Sequence, residues 1–223
     1  AHELRTPLAL IQAQLDLYHT TEHPESTTAA EETIQMVTEQ NERLSKLVRT
    51  LLDMSELQTV ARNDRIELHG LIEEVLTDLE PLAQEKSIEL IQNSHRGGEK
   101  ADEELFLTGS DILIYRMLYN LVENAIKYNQ KDGTVTVSAI REKNEVVLTV
   151  SDTGNGIDEA FRTQIFEPFF RIDKSRSREL GGVGLGLTMV REVVRVHDGT
   201  IKVYANKNKG TTFEVKMRLG AEK

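Results

Sequence analysis

The sequence predicts two joined units, an α-helical hairpin that makes a four-helix bundle when two copies meet, followed by a unit of mixed α and β structure. Three observations carry this. Ile34, Val37, Asn41, Leu44, Val48 and Leu51 recur at 3-4-3-4-3 spacing, the seam of a coiled coil with one polar position. Phe213, Val215, Met217 and Leu219 alternate with Glu214, Lys216 and Arg218, as in a strand with one buried face. Between them, helical and strand-like patterns succeed one another without an internal repeat.

Composition bounds the function. The 223 residues suffice for two modest domains, and 39% hydrophobic with 29% charged residues is the balance of an ordinary globular chain. A formal net charge of -10 argues against nonspecific nucleic-acid binding, because a phosphate backbone needs a basic surface. No run of eighteen apolar residues crosses a membrane, and nothing resembles a signal peptide. Zero cysteines exclude a disulfide framework and thiolate metal sites.

In chain order, Leu4, Leu8, Ile11, Leu15 and Tyr18 lie on one helical stripe, helix one. Residues 20–28, with Pro24, four threonines and a serine, form a loop. Helix two runs from Ala29 to about Leu57 and carries the seam. A hairpin of two such helices leaves its stripes half covered, so a second copy completes the bundle, although the seam can also pack within the chain. Residues 58–64 lose the heptad and are expected to link a helical domain, 1–58, to a second domain, 64–223.

Beyond the linker, Leu71, Val75, Leu79 and Leu82 predict a helix, 88–91 and 105–107 strands, and 93–102 a polar loop. A helix is expected from Asp111 to Tyr128, then a hairpin of 134–140 and 146–150 turning near Lys143-Asn144. A glycine-rich stretch opens a last helix through Val190 and Val194, ahead of the alternating strand.

Four stretches carry chemical signals. Ala1-His2-Glu3-Leu4-Arg5-Thr6-Pro7-Leu8 places a carboxylate beside an imidazole. At neutral pH roughly three quarters of unperturbed imidazoles are uncharged and nucleophilic, and a carboxylate fixes the tautomer and stabilises the imidazolium formed on attack. Alternatively Thr6 is an N-cap, Pro7 takes N1, and His2 is solvated chain. If His2 instead lies on the helix, Pro7 removes the bond to the Glu3 carbonyl, and with only Ala1 ahead His2 is expected to fray. A longer segment is then expected to hold His2 more firmly.

On the Asp111 helix, Asn120, Asn124 and Lys127 share one face, with Glu123 beside them. Asparagine is a poor helix former, so two stacked a turn apart point to use of their amides; their oxygens suit Mg²⁺, and Lys127 suits a phosphate. Asp152-Thr153-Gly154-Asn155-Gly156-Ile157 follows a strand and is either an Asp-rich turn or a reader of an exocyclic amino group. Phe166-Glu167-Pro168-Phe169-Phe170-Arg171 leads through Lys174, Arg176 and Arg178 to Gly181-Gly182-Val183-Gly184-Leu185-Gly186-Leu187, whose backbone N–H groups and helix N-terminus suit an anion.

This ordered set resembles the H, N, G1, F and G2 boxes of the two-component sensor histidine kinases, and Gly210-Thr211-Thr212 resembles their final Gly-Thr element. The resemblance covers nearly the whole chain. It implies a dimerisation hairpin carrying His2 and an α/β sandwich with a mixed sheet, binding ATP beneath a lid at about 170–182. It implies His2 as phosphoacceptor, Glu3 as its partner, and Thr6 as the residue that orients water when a regulator is dephosphorylated. Asn124 becomes the Mg²⁺ ligand, Asn120 its phosphate-side companion and Lys127 a phosphate contact. Tyr128 lies against adenine and Asp152 reads it, in a pocket shaped by Gly154, Gly156 and Ile157. Phe169, Arg171, Gly182, Gly184, Leu185, Gly186, Leu187 and Thr212 complete the ATP site.

Implied partners are a response-regulator receiver domain and a second copy of the chain through the hairpin. Neither nucleic acid nor membrane contact is implied for this cytoplasmic segment of a membrane-anchored bacterial parent. Departures are Ala1 for a frequent serine, Asn129-Gln130 for a small hydroxyl residue and proline, and Asp158 for a proline. Gyrase- and chaperone-type ATPases share the pocket but carry a glutamate base where Asn120 stands, and asparagine cannot serve as that base. A noncatalytic nucleotide-gated scaffold would not need His2, Glu3, Asn124 and Asp152 together.

Overall fold

The computed structural model describes residues 57, 59–93, 105–172, 184–206 and 210–219, with positions 10, 11, 13, 32–38, 40, 41, 44, 45 and 48 ahead of them. All of those N-terminal positions are helical, on the two stretches where the apolar stripes run. None of the described helices is long and apolar enough to cross a membrane.

The second unit is a two-layer α/β sandwich. Five strands are ordered β2-β4-β5-β7-β6: β2 (Glu89–Gln92), β4 (Thr134–Glu142), β5 (Glu145–Asp152), β6 (Thr200–Ala205) and β7 (Thr211–Arg218). Only β2 and β4 pair in parallel, so the sheet is mixed as expected. Helices α1 (Leu68–Glu85), α2 (Asp111–Lys127) and α3 (Gly186–Val196) pack on one face. There Val135, Val137 and Ala139 of β4, Leu148 and Val150 of β5, and Phe213, Val215 and Met217 of β7 form the sheet side of the core. On the other face the pairs Ser138–Thr149 and Ser151–Thr212 are hydrogen-bonded through their hydroxyls at 2.6 and 2.9 Å.

Two strands go beyond the sequence expectation. The short β1 (Asp64–Glu67) pairs antiparallel with β3 (Phe106–Gly109) in a separate ribbon. In β6, Ile201 and Val203 pack against the core, a period-2 pattern interrupted by Lys202 and Tyr204. At the other boundary, Leu57, at the end of the predicted seam helix, is 2% exposed and belongs to the core of the α/β unit.

The helix ends are tied by a local cap on α1 and by distant groups on α2. Glu67 caps α1, its carboxylate accepting from the N–H groups of His69 and Gly70 at 3.0 and 2.6 Å. At the start of α2, Ser110 makes no side-chain cap; Asp111 N–H instead donates to Asp64 Oδ2 at 3.1 Å and Ser110 N–H to His197 Nε2 at 3.0 Å. His197 closes α3, and its Nδ1 lies 2.8 Å from the Val193 carbonyl. Both bonds together require the neutral tautomer with hydrogen on Nδ1.

Burial pushes the His197 imidazole below its ordinary value, and Arg62 acts in the same direction, against Asp198 and the Val193 bond. The unfolded chain therefore binds the proton more readily than the folded one. Stability from this clamp is complete above about pH 6.5 and is lost as pH falls through the lowered folded value. Denaturation midpoints between about pH 7.5 and 5.5 are expected to fall more for the wild type than for His197→Gln, whose amide oxygen still accepts from Ser110 without titrating. Equal falls would contradict the clamp.

Candidate functional site

The site begins on α2. Leu113, Ile114, Met117, Leu118, Leu121, Val122, Ala125 and Ile126 bury one face of the helix, leaving Asn120, Glu123, Asn124 and Lys127 half-buried on another. Asn120 Nδ2 donates to the Arg116 carbonyl at 2.7 Å, which turns its Oδ1 outward. That oxygen meets Gly186, the first residue of α3: a Cβ added there would lie 2.7 Å from Asn120 Oδ1 and 3.9 Å from Asn124 Nδ2. The absent side chain thus lets a helix N-terminus, with its unpaired N–H groups, approach both asparagines.

Gly184 is joined to the phenylalanine segment. It has φ +79°, its carbonyl accepts from Phe169 N–H at 2.9 Å, and a Cβ would lie 2.9 Å from the Phe170 carbonyl. Phe169 itself has φ 65°, unusual for a bulky residue. The two turns therefore fix one another back to back. Leu185 is buried and Leu187, half-buried, packs on the core, so both anchor the turn.

The other end is built on Asp152, the last residue of β5 and 8% exposed. Its Oδ1 accepts from Gly154 N–H at 2.8 Å and Thr211 N–H at 3.1 Å. Burial pushes the carboxyl pKa up, while those two bonds and the Thr211 side chain pull it down in part. Gly154 presses on the end of α2, where a Cβ would lie 2.6 Å from the Tyr128 carbonyl. Gly156 adopts φ 74°, and Ile157 packs against the core. The asparagine end and the Asp152 end are eight residues apart on α2, about 12 Å along its axis.

The chain as a whole is similar to known proteins. Residues 109–221 match the family described as histidine kinase-, DNA gyrase B-, and HSP90-like ATPase. Residues 1–60 match the His Kinase A (phospho-acceptor) domain, which the gyrase and chaperone reading does not require. This chain belongs to the sensor histidine kinase family. The histidine kinase ArlS of Staphylococcus aureus (strain USA300) is 33% identical over 231 residues, spanning 96% of this chain and 46% of ArlS. The chain thus spans about half the length of the curated relatives it matches. The catalytic domain of histidine kinase ThkA superposes with a TM-score of 0.60 at 26% identity, covering 70% of this chain and 94% of that one. Acinetobacter baumannii histidine kinase AdeS shares the fold over 99% of both chains, with a TM-score of 0.74 at 23% identity.

Within this histidine kinase chain, the structure brings Asn120, Asn124 and Gly186 together at one end of α2, and Tyr128, Asp152 and Gly154 at the other. Lys127 forms an ion pair with Glu123 at 2.7 Å, so its charge already has a partner one helical turn away. Tyr128 is the C-cap of α2 and 45% exposed. Arg171 is half-buried. His2, Glu3, Thr6 and Gly182, with Lys174, Arg176 and Arg178 of the basic cluster, lie outside the described residues.

The two threonines after Gly210 point to opposite faces of the sheet. Thr212 pairs through its hydroxyl with Ser151, on the sheet face opposite Asp152. Its neighbour Thr211 supplies the N–H and the side chain that hold the carboxylate. Successive strand residues point to opposite faces, and this parity was readable from Phe213 and Val215.

Two asparagines were missed. Asn129, at a departure from the family pattern, donates to the Thr134 carbonyl at 3.0 Å and accepts from Gln130 N–H at 2.9 Å and from Thr153 Oγ1 at 3.2 Å. It fastens the end of α2 to the residue after Asp152. Asn206 grips Asp152 from the other side, through that residue's carbonyl. No local sequence signal marks either role.

Proposed function

We propose that this chain is the catalytic core of a two-component kinase that moves the γ-phosphoryl group of ATP to His2 and then to an aspartate of a response regulator. The observation that carries the reading is Asp152: a buried carboxylate with one oxygen held by two backbone N–H groups. Its other oxygen is the acceptor for the exocyclic amino group of adenine. Its distance along α2 from Asn120, Asn124 and the N-terminus of α3 suits a nucleotide lying along the helix, with its phosphates at the far end.

The donor set fits a magnesium ion. Asn124 offers an amide oxygen, and the missing side chain of Gly186 lets the N-terminus of α3 come up to both asparagines. Held there, Mg²⁺ would supply neutralisation of the phosphate charge. The residues supply the positioning: Asp152 fixes the base, Asn120 and the N–H groups of α3 hold the phosphates, and Lys127 exchanges Glu123 for a phosphate oxygen. A ring nitrogen of His2 attacks phosphorus in line, the new N–P bond forms as the bond to the β-phosphate oxygen breaks, and ADP leaves. Glu3 holds the other ring nitrogen, and Thr6 orients water in regulator dephosphorylation.

A second copy completes the helical bundle. Supporting this, Ile34 and Val48 of the seam are 66% and 44% exposed in the single chain. ThkA, at 23% identity and a TM-score of 0.72 over 99% of this chain and 60% of that one, has been solved in complex with response regulator protein TrrA. A receiver domain is the corresponding partner here, in the cytoplasm, with the parent protein anchored in the bacterial membrane.

Phosphotransfer tests this. Chain labelled from γ-phosphate-marked ATP and freed of nucleotide should pass its label to an aspartate of the receiver domain of its regulator, and to none of a receiver lacking that aspartate. Continuous ATP hydrolysis that survives His2→Gln would favour an ATPase instead.

A further inference from the structure

Where β5 meets β7, the ladder register ends at Ser151↔Thr212. One step further, Thr211 N–H donates to the carboxylate Oδ1 of Asp152 at 3.1 Å. The Asp152 carbonyl is taken by the side-chain amide of Asn206, which also reaches Ser151 Oγ at 3.2 Å. Asn206 N–H in turn donates to the Gly210 carbonyl at 3.0 Å and closes the β6–β7 connection. A Cβ on Gly210 would lie 2.9 Å from Asn206 Nδ2 and 1.9 Å from the Asp152 carbonyl oxygen, so the amide fits there only because residue 210 is glycine.

We infer that Asn206 is a positioning residue for base recognition: by occupying the Asp152 carbonyl it leaves Thr211 N–H on the carboxylate, and so fixes which carboxylate oxygen faces the purine. The inference rests on the reading of Asp152 as the adenine acceptor. Buried polar groups must be paired, and the carbonyl and the carboxylate of Asp152 compete for the same neighbouring donors. Without the Asn206 amide, Thr211 N–H is free to swing to the carbonyl, the ordinary ladder partner. The carboxylate then loses one of its two backbone tethers and can turn. A carboxylate held in one orientation accepts from the amino group at C6 of adenine and repels the keto oxygen at C6 of hypoxanthine; one that turns discriminates less.

The test compares affinities of ATP and inosine triphosphate by calorimetric titration in the wild type, Asn206→Ala, Asn206→Ser and Asp152→Asn. The expected result for Asn206→Ala is ATP bound about tenfold more weakly with inosine triphosphate unchanged, compressing the ratio. Asn206→Ser, with a hydroxyl too short to span the same gap fully, falls between. Equal weakening of both nucleotides, or of neither, overturns the role, as does failure of both Asn206 variants to fold, which would make the residue purely structural. Asp152→Asn separates the two levels. If it leaves the ratio unchanged, the adenine reading falls and Asn206 with it; if it collapses the ratio while Asn206→Ala does not, only the role of Asn206 falls.

Discussion

Asparagine in place of Asp152 is expected to weaken adenine-nucleotide binding by about 3 kcal/mol, roughly a hundredfold, without lowering the melting temperature. The two side chains have the same shape, and the amide oxygen still accepts from Gly154 and Thr211 N–H. What changes is the second atom, which becomes an NH₂ donor facing the amino group of adenine. Two donors then face each other in a site too buried for water to compensate fully. Stability moves the other way. Burial pushes the Asp152 carboxyl up, so the folded state holds its proton more tightly than the unfolded state and loses stability as pH rises through the folded value. At neutral pH the neutral amide escapes that cost. Titration calorimetry with thermal denaturation reads both effects, and an Asp152→Asn protein that binds ATP normally would remove the base of the nucleotide site.

Gly210→Ala should be the most damaging of the small substitutions, costing about 3 kcal/mol and most of the nucleotide affinity with it. The added methyl group would lie 1.9 Å from the Asp152 carbonyl oxygen and 2.6 Å from its carbonyl carbon. Both are backbone atoms of a central strand, and neither can yield without displacing the carboxylate. Gly70→Ala is the control. There the methyl group would meet only Glu67 Oε2, at 3.0 Å, the end of the N-cap side chain, which can shift while its Oε1 keeps the bond from His69 N–H. A 3 kcal/mol loss in a domain of this size lowers the melting temperature by about 10 °C, whereas the control should stay within a degree or two. Equal melting temperatures for the two variants would show that β7 can move away from β5.

How much of this was legible in the chain depended on range. The α2 face was readable because helical period alone puts Asn120, Asn124 and Lys127 together, and the structure adds that Gly186 faces the two asparagines. The Glu123–Lys127 pair was also local, one helical turn long, yet a lysine beside two asparagines reads as a phosphate contact and leaves its carboxylate partner unused. Thr211 and Thr212 are adjacent hydroxyls that motif matching cannot separate; strand parity can, once Phe213 is placed in the core. The roles of Asn206 and His197 were not legible, because their bonds span 54 and 87 residues and depend on how β5 meets the β6–β7 hairpin and how α3 ends beside α2. Likewise Asp64 looked like linker, whereas its carboxylate caps a helix beginning at Asp111.

The proposed acceptor, His2, and the proposed donor site around Asp152 belong to one reaction, and the chemistry of the phosphorylated linkage examines that most directly. Incubation with Mg²⁺ and γ-phosphate-labelled ATP, using a chain extended by a few helical turns ahead of Ala1, should give label on the protein that is lost in acid and stable in alkali. That label should be absent from His2→Gln, and from Asp152→Asn at ATP concentrations that saturate only the wild type. Acid-stable label, or label that persists without His2, would contradict it.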